Sequence, residues 1–66
     1  MSRDEVVKLA EEAARKRSVY QALAATNAHG LSPKDRVSLD AEFMIAGEEW
    51  RKAELAYRQA LMQLNS

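Results

Sequence analysis

The sequence predicts an all-α protein: an antiparallel two-helix hairpin with helices over about residues 3–29 and 33–64, paired with a second copy into a four-helix bundle. Three observations predict it. Gly30 and the only proline, Pro33, stand together in Asn27-Ala28-His29-Gly30-Leu31-Ser32-Pro33, a helix stop followed directly by a helix start. The remaining chain carries apolar residues at helical spacing. The chain has 66 residues and no cysteine, so it holds one domain, 1–66, without disulfide support.

The first helix opens with Ser2-Arg3-Asp4-Glu5, the spacing of a capping box in which the Ser2 hydroxyl accepts from the Glu5 amide. Its apolar stripe is Val6, Leu9, Ala10, Ala13, Tyr20, Leu23 and Ala24, interrupted around Lys16 and Arg17. The helix is expected to end at His29. Gly30 then suits the left-handed position after a helix, and a protonated His29 suits the last carbonyls. The second helix is expected to start with Ser32 as N-cap, Pro33 at the first helical position and Asp35 at the third. Its seam is unbroken: Leu39, Phe43, Ala46, Trp50, Ala53, Tyr57, Ala60 and Leu64 alternate in spacings of four and three. A turn centred near Leu31 sets Tyr20 beside Phe43, Ala13 beside Trp50 and Val6 beside Tyr57, with large residues meeting small ones at the waist. Trp50, large and central, is the residue whose loss should unfold or dissociate the protein.

The core such a hairpin can build is thin. Of 31 hydrophobic residues twelve are alanine, which leaves 19 larger side chains. A chain of this size buries only roughly 60% of its unfolded surface and is marginal without outside help. A second apolar set, Val37, Met44, Ile45, Leu55, Leu61 and Met62, flanks the seam of helix 2, and Gly47 interrupts that helix where glycine costs about 1 kcal/mol relative to alanine. Together with Trp50, these residues form the expected interface with itself as a homodimer, or with another helical protein. The functional expectation is a non-enzymatic protein-protein interaction module: a small scaffold, adaptor or co-chaperone. In architecture alone, short two-helix proteins of this length include co-chaperones of secretion-apparatus subunits and parts of phage or bacterial assemblies.

Composition removes other classes. Ten basic and ten acidic residues give a net charge of zero, so no global attraction draws the chain to nucleic acid or anionic lipid. No run approaches the roughly 18 apolar residues of a membrane span, and Met1-Ser2-Arg3-Asp4-Glu5 opens with charge, so a cytoplasmic location is expected. Most charges pair along their own helix with the acid first, as in Asp4 to Lys8, Glu11 to Arg15, Glu12 to Lys16, Glu48 to Lys52 and Glu54 to Arg58. Arg15-Lys16-Arg17, with Lys8, is the only basic run on which a nucleic-acid-binding regulator could rest.

Nothing in the sequence supplies catalysis. There is no cysteine nucleophile and no glycine-rich phosphate loop, and His29 is the only histidine. Glu11, Glu12, Glu48 and Glu49 lack the Glu-x-x-His repeats of di-metal bundles, so neither a metal nor a cofactor is expected. A further alternative is a hairpin regulator of a signalling protein acting through Asp35 or Asp40. Ser38-Leu39-Asp40 shares only the ends of the Ser-Gln-Glu-Leu-Asp motif that some short helix-loop-helix regulators carry on their second helix.

Overall fold

A computed structural model describes residues 2–27 and 29–65. Two helices make up the fold: α1, Arg3–Ala24, and α2, Pro33–Asn65, packed side by side along their length. Both N-termini form as the capping residues dictate. The Ser2 hydroxyl accepts from the Glu5 amide at 3.3 Å, and the Ser32 hydroxyl accepts from the Asp35 amide at 3.2 Å. The Ser32 carbonyl also accepts the Arg36 amide at 2.9 Å, which starts the ladder of α2.

The end of α1 differs from the expectation of a helix to His29. The helix stops at Ala24, with Ala25 as its cap, five residues early. The physical reason is local competition for hydrogen bonds. The Thr26 hydroxyl donates back to the Ala22 carbonyl at 3.0 Å, its amide turns to the Leu23 carbonyl at 3.1 Å, and the Asn27 side chain accepts the His29 amide at 2.9 Å. Threonine and asparagine give the backbone partners outside the helix. Ala28, which the expected helix included, lies outside the described residues. Gly30 does adopt the left-handed conformation, φ 84°, but in the connecting loop rather than directly behind a helix. His29 is accordingly a loop residue and does not cap α1.

The hairpin is a rod, 51 × 13 × 11 Å. Its radius of gyration is 15.4 Å, against about 11 Å for a compact domain of this length. Its accessible surface is 5299 Å², against about 4200 Å² for a compact monomer of 7.4 kDa. The core explains the excess. Its buried members are Val6, Ala13, Ala46 and Ala60, three of the four being alanine, and no large side chain is fully buried among the described residues. Two helices of alanine-lined seam approach closely but remove little apolar area from water.

Candidate functional site: an apolar surface on the second helix

The two sides of α2 are built differently. On the side facing α1, an aromatic cluster closes the waist: the Tyr20 ring lies 4.7 Å from that of Phe43 and 5.2 Å from that of Trp50, both tilted. Tyr20 therefore spans two turns of α2, and Gly47, midway between Phe43 and Trp50, makes room for it. A Cβ at Gly47 would stand 3.2 Å from Tyr20 Cε2. The small residue opposite the ring is this glycine, so the close approach it permits is made within the chain. The expected meeting of Tyr20 and Phe43 is present, while the ring beside Trp50 is that of Tyr20. The Trp50 indole N–H donates to Glu54 at 2.9 Å, and the other oxygen of Glu54 accepts from Arg58 at 3.3 Å, so the polar edge of the ring is satisfied along its own helix.

Lys16, the interruption in the stripe of α1, links the helices. Its ammonium donates to Glu49 across the hairpin at 3.0 Å and lies 3.8 Å from Glu12, which also receives Arg15. The Arg15 guanidinium, by hydrogen bond and by charge, holds the Glu12 carboxyl below its ordinary value, and the Glu49 carboxylate raises the Lys16 ammonium. Two of the three members of the basic run are thus neutralised by carboxylates. Of the intrahelical pairs expected, Glu12 to Lys16 and Glu54 to Arg58 form; Asp4, Lys8, Glu11, Glu48 and Lys52 have no ion-pair partner among the described residues.

The other side of α2 is apolar and open. Val37, Met44, Leu55 and Met62 are 68%, 66%, 57% and 72% exposed, values that belong to solvated surface although the side chains do not. Their spacings of seven, eleven and seven residues bring all four within about 20° of one line, since eighteen residues make five turns. That line lies about 160° from the mean direction of the seam, on the side of the helix turned away from α1, and Met44 and Leu55 also edge surface grooves that Tyr20 lines. The sequence pattern carries this information, but hydrophobicity alone does not separate these four from Ile45 and Leu61, which the sequence reading places with them as flanks of one face.

The remaining expected interface residues lie elsewhere. Ile45 is exposed but borders a groove between the helices with Val19, Leu23 and Ala46. Leu61, Gly47 and Trp50 are half-buried. Val7 and Val19, not singled out in the sequence, are also about half exposed on α1, yet twelve residues and about 120° apart they define no stripe.

Among the described residues no three histidine, aspartate or glutamate side chains converge as metal ligands, and no helix is long and apolar enough to cross a membrane. Asp35 and Asp40 are both exposed near the start of α2. A comparison of the chain with known protein families, curated proteins and solved structures finds no match to any of them.

Proposed function

We propose that this protein is a non-enzymatic protein-protein interaction module, a helical hairpin that works as a homodimer and presents the resulting four-helix assembly as a scaffold or adaptor. The observation that carries the reading is the row of Val37, Met44, Leu55 and Met62, large apolar side chains more than half exposed on a helix whose own hairpin leaves them unused. Large apolar side chains exposed in a row of this kind mark interaction sites on soluble proteins. The surface in excess of a compact monomer, about 1100 Å², exceeds the roughly 800 Å² that each partner contributes to a stable interface. A second copy is the occupant most directly available to every molecule of the protein, and twofold closure covers both surfaces at once. Docking on a different helical protein would use the same residues.

Nucleic-acid binding draws less support, because Arg15 and Lys16 already hold carboxylates and leave Arg17 and Lys8 to face solvent without a concentrated field. The test is sedimentation of the purified full chain without partners. The expected species has twice the monomer mass of 7.4 kDa at micromolar concentration. A stable, compact monomer across that range overturns the self-association reading.

A further inference from the structure

We infer that the homodimer forms by antiparallel pairing of α2 with α2 of the partner through its outer stripe, with the twofold axis passing between Glu49 and Trp50. The inference rests on the proposed self-association and specifies its geometry.

The stripe is symmetric about that midpoint. Val37 and Met62 are equidistant from it, and so are Met44 and Leu55. Antiparallel superposition of two such helices places Val37 against the partner's Met62 and Met44 against the partner's Leu55, twice each, apolar on apolar. Between the two inner layers the stripe is interrupted by Glu48 and Arg51, and these are equidistant from the same midpoint. The interruption thus matches Glu48 with the partner's Arg51 and Arg51 with the partner's Glu48 at the centre of the contact. Neither side chain has an ion-pair partner among the described residues of its own chain, and both are exposed. A parallel arrangement would set Glu48 against Glu48 and Arg51 against Arg51. Charge therefore selects the antiparallel register, as polar groups in helical interfaces commonly do.

The stripe runs about 37 Å, from Val37 to Met62, at 1.5 Å per residue. Because it lies about 160° from the seam, α2 is contacted on opposite sides, and the four helices stand in a row with the two α1 helices outermost. A square bundle would require the two contacts of each helix to be about 90° apart. Polar residues such as Lys8, Glu11, Arg15 and Ser18 on the exposed side of α1 suit that outer position.

The test uses the full chain, whose lack of cysteine makes introduced thiols unambiguous. Met44→Cys combined with Leu55→Cys should oxidise to a covalent dimer in high yield, while each single variant should not, since like positions are well separated in an antiparallel pair. Glu48→Arg alone should weaken dimerisation at least tenfold by opposing two arginines, and adding Arg51→Glu should restore it, with helicity by circular dichroism unchanged throughout. If the wild-type chain sediments as a monomer, self-association itself fails. If it is dimeric but the double-cysteine variant, dimeric by mass, does not cross-link, or if Glu48→Arg has no effect, the outer-stripe register is wrong while the homodimer stands. Cross-linking of Met44→Cys alone would indicate a parallel pair and equally overturn the inference.

Discussion

The two helices differ in how many faces they have to cover. α1 is apolar on one side, and that side rests on α2; its exposed side is charged, polar or small apart from Val7 and Val19. α2 is apolar on two sides, with an aromatic and alanine seam toward α1 and a row of valine, methionine and leucine away from it. The shortage of core is therefore local. It is not spread over the chain as a general looseness, and a substitution on one side of α2 tests something different from a substitution one residue along.

The largest effect should come from the inner side. Trp50→Ala removes the ring against Tyr20 and leaves Glu54 without its indole donor; with Trp50 only half-buried, the cost should be about 3 kcal/mol, the lower end for a lost tryptophan. A small domain has little more to lose, so helicity at 25 °C should fall sharply. Unchanged melting would mean that the waist cluster does not hold the hairpin.

On the outer side, Leu55→Arg should change hairpin stability by no more than about 0.5 kcal/mol, as befits an exposed position, while abolishing the dimer. Circular dichroism and sedimentation on one sample would separate the two outcomes. Loss of helicity would show that the two sides of α2 are not independent.

A smaller effect is expected at the point where the inner side is tightest. Gly47→Ala gains about 1 kcal/mol of helix propensity, but the new methyl meets Tyr20, whose ring is confined by Phe43 and Trp50. Overpacking of this kind costs about 1–3 kcal/mol, so the balance should be destabilising, with a fall in melting temperature of about 5 °C. A rise would mean that the ring yields.

How much of this was legible beforehand differs by element. Ser2, Ser32 and Pro33 announce the helix starts because capping is decided by residues next to one another. The contact of Tyr20 with Phe43 follows from the two apolar stripes and a turn centred near Leu31. The end of α1 does not, since Gly30 is the stronger stop signal in isolation and the weaker pull of Thr26 and Asn27 acts first along the chain. The outer stripe is legible in its residues and, once each position is set at its angle around the helix, in its direction as well. Val37, Met44, Leu55 and Met62 are surplus to the seam in the sequence, and their exposure bears out a second face rather than a broad first one. Lys16 read as a defect in the stripe because its partner, Glu49, lies on the other helix.

The smallest expected effect concerns that cross-helix link. Lys16, whose ordinary value is 10.5, is raised in the folded hairpin, so its contribution is complete below that value and is lost as pH rises through the folded one. Glu12, ordinarily 4.5, is lowered, so its contribution is complete above that value and is lost as pH falls through the folded one. Both are half-buried at most and open to solvent screening, and thermal melts should drop only slightly at either extreme. Lys16→Gln should flatten the alkaline limb relative to the native chain, and an identical alkaline limb would remove Lys16 as its source.

The pairing of Tyr20 with Trp50 also gives the molecule a built-in optical gauge. Trp50 is the only tryptophan, and a tyrosine ring 5.2 Å away hands its excitation to the indole only while the two helices are closed. Tyr57, on the same helix as Trp50, continues to do so as long as α2 is helical. The share of tyrosine emission that returns on heating therefore reports the opening of the hairpin, whereas separation from a second copy along the outer side of α2, as proposed, would leave this ring pair in place. Opening of the hairpin can thus be followed by the colour of the chain's own fluorescence, without any label and independently of association along that outer side.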